Sequence, residues 1–149
     1  MQHYKISEAR NVRNTLLALG SVRLARRSQE MLSMTLREVI HAELNVLDNE
    51  RLYIINVARH KNRKHSTDAL VTFTESEFKV LNLYNRKLRK MFTTDDCENA
   101  PVFTVANYCK NSQAEVLKGQ PAAPMNYSST FKILSKFKIT SGKCFLLRE

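Results

Sequence analysis

Two strand-like runs separated by a short basic segment constrain this chain more than any other feature. Leu52-Tyr53-Ile54-Ile55-Asn56-Val57 and Ala69-Leu70-Val71-Thr72-Phe73 are rich in β-branched and aromatic residues, which fit a pleated, half-buried surface. Between them stands His60-Lys61-Asn62-Arg63-Lys64-His65. That segment is too polar to extend either strand, so the pattern predicts an antiparallel hairpin with a basic turn.

The remaining pattern is largely helical. Val12, Leu16 and Leu19 share one face of a helix predicted from Glu8 to Leu19, with Gly20 as its stop. A second helix is predicted to start near Arg27 or Ser28 and to carry Met31, Leu32 and Met34 inward. Thr35-Leu36-Arg37-Glu38 and Thr74-Glu75-Ser76-Glu77 both have the Thr-x-x-Glu spacing of a capping box. The first predicts a helical turn reaching about Ala42. The second predicts the longest helix, with Phe78, Leu81, Leu88 and Phe92 on a buried stripe and Lys79, Arg86, Lys87 and Lys90 outside. Asp48-Asn49-Glu50 reads as a turn, Thr93 to Pro101 as a loop, Val102-Phe103-Thr104-Val105 as a short strand, and Gly119 to Pro124 as an irregular connection. Ser128 or Ser129 should cap a last helix carrying Phe131, Leu134 and Phe137, ended by Ser141-Gly142. The expected fold is α+β, a single domain over residues 1–149, mainly helical with a small antiparallel β-hairpin sheet.

Charge narrows the partner class. The formal net charge is +10, a sign that concentrates polyanions and makes nucleic acid the leading partner, with a merely solvated basic surface as the plain alternative. Aromatic residues are 8% of the chain and do not interleave with the basic ones, which disfavours a base-stacking single-strand binder. No glycine-rich phosphate loop is present, so nucleotide hydrolysis has no support. Asp95-Asp96-Cys97-Glu98 lacks a nearby histidine and reads as a solvated loop, so neither a metal nor another cofactor is expected. Cys97, Cys109 and Cys144 form no C-x-x-C pair, which fits reduced thiols in an intracellular protein. No apolar run approaches the roughly 18 residues needed to span a bilayer, and Met1-Gln2-His3-Tyr4-Lys5 has no secretory h-region. The run from Lys61 to Lys64 is a short match to a nuclear localisation signal.

Upstream of the hairpin, Arg23, Arg26 and Arg27 cluster before Ser28-Gln29-Glu30-Met31-Leu32-Ser33-Met34-Thr35-Leu36. The order helix, Arg-x-x-Glu helix, basic hairpin, long helix is similar to the catalytic domain of tyrosine recombinases, the phage-integrase-like family. The resemblance is greatest to its animal, transposon-associated branch. There an arginine followed three residues later by glutamate leads into a Met-Thr-Leu stretch, as Arg27-Ser28-Gln29-Glu30 here leads into Met34-Thr35-Leu36. The family then places a lysine on a β-hairpin, commonly in a His-Lys pair, as His60-Lys61 precedes Ala69-Leu70-Val71-Thr72-Phe73. The resemblance runs over most of the chain and is strongest from Arg23 to Phe92. It implies a partial DNA breaking-rejoining core acting on double-stranded DNA. Arg27 would clamp phosphate oxygens with its rigid guanidinium fork. Lys61 would be the general acid that protonates the leaving oxygen. Glu30 would brace the arginine helix from the next turn, and Arg148 would be the second arginine. Arg26, His60, Arg63 and Lys64 would add backbone contacts to DNA. The plainer reading makes Arg27 an ion-pair partner of Glu30 or Glu38, and Lys61 part of a solvated turn.

The departures from that pattern shape the functional expectation. In Phe145-Leu146-Leu147-Arg148, phenylalanine stands where the family has histidine, and Arg148 is the penultimate residue. Tyr4, Tyr53, Tyr84, Tyr108 and Tyr127 all lie upstream of that box, and none matches a nucleophile position. The expectation is therefore a C-terminally truncated and catalytically inactive domain. It would be a DNA-binding remnant or regulatory fragment of a DNA integration and recombination protein, contacting phosphates without reading bases. An uncovered core face would also favour self-association. Two alternatives stay open: part of an active recombinase completed by further C-terminal sequence, and a basic protein-interaction domain with no DNA role.

Overall fold

The computed structural model describes residues 4–24, 28–58, 69–106, 118–126, 132–133, 135–136, 139–140 and 143–144. The expected hairpin strands are paired: β2 (Glu50–Val57) runs antiparallel to β3 (Ala69–Thr74), from Leu52↔Thr74 to Val57↔Ala69. A strand absent from the sequence reading, β1 (Glu43–Leu47), pairs with the other edge of β2, giving the order β1-β2-β3. The two residues joining β1 to β2, Asp48 and Asn49, have φ of 50° and 64°. Left-handed conformation at both centres is the two-residue turn whose twist matches that of paired strands, and Asp and Asn tolerate it better than most residues. Along β2 and β3 the alternation is regular. Ile55, Val57, Val71 and Phe73 are fully buried, while the cross-strand pair Asn56 and Leu70 on the other face is exposed.

Helices cover the buried face. α1 (Ile6–Leu24) packs on β3 and on α2 (Ser28–Ser33), while α3 (Leu36–Ile40) packs on β2. α4 (Glu75–Leu83) lies against both β2 and β3 and continues through a wide π turn, Tyr84–Leu88, and a tight 3₁₀ turn, Arg89–Met91. Leu16 and Leu17 of α1, Met31 and Met34 around α2, the inward sheet residues, and Leu81, Tyr84, Leu88 and Phe92 form one core. Val102, Phe103 and Met125 close it from the loop side. Both capping boxes are complete: Thr35 and Thr74 accept from the backbones of Glu38 and Glu77, whose carboxylates accept from the cap backbones in return. The helices and antiparallel sheet make the α+β class plain. Among the described residues no helix is long and apolar enough to cross a membrane.

Several expectations need correction. Gly20 does not stop α1, which runs on to Leu24. A Cβ at Gly20 would strike Sδ and Cε of the fully buried Met31, so the glycine makes room for α2 to pack. The buried residues of α1 are Ala9, Arg13, Leu16, Leu17, Ala18, Gly20 and Ser21, with Val12 and Leu19 only partly buried. Among the described residues α1, with 19 residues, is the longest helix, whereas α4 has 9 before it passes into the π and 3₁₀ turns. α3 ends at Ile40, short of Ala42, where the Asp48-Asn49 turn needs Glu43 onward for pairing. Phe78 is half-buried and stacks on Tyr53 with ring centroids 4.2 Å apart. Val102, Phe103 and Thr104 are buried and Val105 partly so, but they form no strand; isolated bridges Thr35↔Pro101 and Thr104↔Pro124 take the place of a ladder. Residues 132–133 and 135–136 are helical, but β4 (Ile139–Thr140) pairs with β5 (Lys143–Cys144). The last helix therefore stops before Ile139, where a β-branched pair ahead of Ser-Gly favours a hairpin. Phe131, Leu134 and Phe137 lie outside the described residues.

Candidate functional site

Arg26, Arg27, His60, Lys61, Arg63, Lys64 and Arg148 lie outside the described residues, and Glu30 is described only as a backbone position in α2. The structure does describe the elements from which the two basic segments depart. Arg26 and Arg27 connect the end of α1 at Leu24 to the start of α2 at Ser28. Residues 59–68 connect β2 to β3, whose last described pair is Val57↔Ala69. Because α1 packs on both α2 and β3, and α2 on β2, both segments leave from one helix-on-sheet layer.

The exit of β2 is held by a residue whose role the sequence showed only in part. Glu38 completes the cap of α3: Thr35 N donates to its Oε1 at 2.9 Å and Thr35 Oγ1 donates to the same oxygen at 3.0 Å. Its other oxygen, Oε2, accepts from the backbone N–H of Ala58 at 2.7 Å. Thr-x-x-Glu spacing finds the cap, but nothing local in the sequence points to a partner twenty residues away. The N-terminus of α3 is in turn fastened to the loop before Val102. Leu36 N donates to Ala100 O, Arg37 N to Glu98 O, and Val102 N to Met34 O, at 2.8–3.1 Å.

Two arginines fix that loop from inside. Arg13 donates from Nη1 to Thr104 O at 3.0 Å, and its guanidinium carbon lies 4.8 Å from the Phe92 ring centre, a cation–π distance. Arg89, 1% exposed, donates from Nε and Nη2 to Pro101 O at 3.2 and 2.8 Å and from Nη1 to Asp95 O at 2.6 Å. Its inward course comes from the π turn, where Arg89 N–H bonds to Tyr84 O, so that residues five apart stack on one face. Burial lowers the Arg89 pKa, against raising by Tyr84, Asp96 and Asp95. Tyr84 donates its hydroxyl to Val102 O at 3.2 Å, and burial pushes its phenol pKa well up, against lowering by Arg13 and Arg89. A phenol so placed cannot act as a nucleophile on an external phosphate. Asp95, in the acidic stretch, accepts from Cys97 N and Ala122 N. Among the described residues no group of three or more His, Cys, Asp or Glu is placed to hold a metal ion.

On the outside of α4 and its extension, Lys79, Arg86, Lys87 and Lys90 are exposed as their spacing predicts. Lys79 pairs with Glu75 at 3.9 Å, and Arg86 Nε donates to Asn82 O at 3.4 Å. Leu44 and Val46 lie on the same sheet face as Ile55 and Phe73, yet they are exposed where β1 extends past the helices. No family model, curated protein or solved structure matches the chain.

Proposed function

We propose that this chain binds double-stranded DNA through the phosphate backbone, as a remnant or regulatory fragment of a tyrosine-recombinase-like core. The observation that carries the reading is topological. The Arg26-Arg27 segment and the basic segment 59–68 leave from a single layer in which α1, α2 and the β2–β3 pair pack on one another. The net charge of +10 supports it, because such a field attracts a polyanion before any contact forms.

Within this reading Arg27 donates paired hydrogen bonds to a phosphate, and Lys61, Arg63 and Lys64 neutralise neighbouring ones. Arg26 and His60 add to the same track. Backbone contacts fix position without selecting sequence. The catalytic roles carried by the resemblance for Arg27, Lys61 and Arg148 are vestigial in it, with Glu30 retained as a brace for the arginine.

The test is duplex affinity across a salt series, comparing the native chain with the Arg27→Ala/Lys61→Ala double variant. Each neutralised phosphate contributes about −0.9 to the log–log slope, so removing two contacts should flatten it by roughly two. An unchanged slope and affinity would remove the phosphate site. It would leave a basic protein-interaction domain, whose acidic partner should still bind the Lys61→Ala variant.

A further inference from the structure

We propose that β1 is a self-association edge, through which two copies of this chain pair strand to strand about a two-fold axis at Asn45. β1 lies at the edge of its sheet, and all five of its residues are exposed. Edge strands are commonly blunted by lysine, proline or a bulge. Glu43-Leu44-Asn45-Val46-Leu47 has none of these and pairs with β2 in unbroken register. The two-residue turn makes Leu47↔Glu50 the hydrogen-bonded closing pair. Bonded and non-bonded pairs then alternate, so Glu43, Asn45 and Leu47 turn their backbone groups to β2, while Leu44 and Val46 turn theirs outward.

This outward pattern is complementary to itself. With Asn45 opposite Asn45 of a second copy, Leu44 meets Val46 of that copy, and the two exchange both backbone hydrogen bonds on each side of the axis. The side chains agree with that register. Phe73, Tyr53 and Leu44 form a cross-strand row on the helix-covered face, and Val46 of the second copy continues the row over Leu44, which is otherwise exposed. Charge selects against other occupants, because Glu43, Asp48 and Glu50 flank the strand and repel a polyanion or an acidic peptide. A five-residue edge buries less than the roughly 1,200 Å² of a stable interface, so the pair is weak and reversible. The two-fold operation uses up the β1 edge of both copies, so association through it closes at the dimer.

Sedimentation equilibrium from micromolar to millimolar concentration tests the pairing, with far-UV circular dichroism confirming folding. The native chain should reach a dimer and no further, and more tightly at high salt, since screening relieves the repulsion between two chains of +10 each. Val46→Lys puts a charge into the pair, and Val46→Pro removes an outward N–H while sparing the bonds to β2. Each should weaken the dimer by about tenfold or more, because it acts twice at a two-fold interface. Leu70→Lys is the control: it adds the same charge at a side chain 58% exposed, against 61% for Val46, but on β3 and the other face. On mild oxidation Asn45→Cys should link two copies through position 45, because a non-hydrogen-bonded pair sets its Cα atoms about 4.5 Å apart, within disulfide reach. Leu44→Cys, offset from position 44 of the second copy, should not, and peptide mapping tells these links from any at Cys97, Cys109 or Cys144. A weakened dimer in both Val46 variants, a native-like one in Leu70→Lys and the link at position 45 support the pairing. A native chain that stays monomeric throughout overturns it, as does an equal loss in Leu70→Lys or equal linking by Asn45→Cys and Leu44→Cys.

Discussion

Arg89→Met should destabilise the fold without touching DNA affinity. Among the described residues Arg89 is the largest fully buried side chain, and it donates to two carbonyls, Pro101 O and Asp95 O. Methionine fills much of the volume but donates nothing. Each part-buried acceptor left without its donor costs about 1–3 kcal/mol. Relief from keeping a cation out of water offsets part of that, because burial already works against the charged form. The net loss should be about 2–3 kcal/mol, a sizeable share of the roughly 5–15 kcal/mol that holds a domain. Urea unfolding followed by far-UV circular dichroism reads it. Tyrosine fluorescence gives a second probe, since the chain has five Tyr and no Trp. Arg86→Met, three residues earlier and exposed, should shift stability by no more than about 0.5 kcal/mol. Equal losses in the two variants would refute the argument. So would a lower salt slope for DNA in Arg89→Met, because a 1% exposed guanidinium cannot reach a phosphate.

Two further outcomes follow from packing and ionisation. Gly20→Ala gains about 1 kcal/mol of helix propensity, but the new methyl displaces buried Met31, at a cost of about 1–3 kcal/mol. A lower melting temperature is expected, with a smaller drop in a Met31→Leu background. Hydrogen bonds from Ala122 N–H and then Cys97 N–H hold the Asp95 carboxyl below its ordinary value of 3.8. A carboxyl depressed in the folded state adds stability that is fully present above the unfolded pKa and is lost as pH falls through the folded one. The urea midpoint of the native chain should therefore fall below about pH 4, and Asp95→Asn should flatten that decline.

What the sequence disclosed was local. Thr35 and Thr74 cap their helices with partners three residues on, so spacing alone reveals them. β2 and β3 bury alternate residues, and their composition carries that periodicity. β1 carries a short polar–apolar alternation, Glu43-Leu44-Asn45-Val46, ahead of the Asp48-Asn49 turn, a strand signal that is weak because it spans four residues, all of them exposed in the fold. Gly20 looked like a stop because its purpose, room for Met31, lies on another helix. Arg89 is the same residue type as its exposed neighbour Arg86, and the π turn directs it inward. The second bond of Glu38 is likewise non-local. Arg27, Lys61 and Arg148, singled out only by the resemblance, fall outside the described residues.

The wide turn from Tyr84 to Leu88 also sets which changes of length this helix can absorb. As folded, Tyr84, Leu88, Arg89 and Phe92 all face the core, at spacings of four, five and eight that even winding cannot align. Removing exposed Lys87 would bring the same four side chains to spacings of three, four and seven, which is the inward stripe of an ordinary α-helix. Elsewhere in a packed helix, loss of one residue turns every later side chain by about 100° away from its partners. Between Tyr84 and Leu88 the backbone already carries one residue in surplus, so a deletion there should relax the winding and leave Arg89 within reach of Pro101.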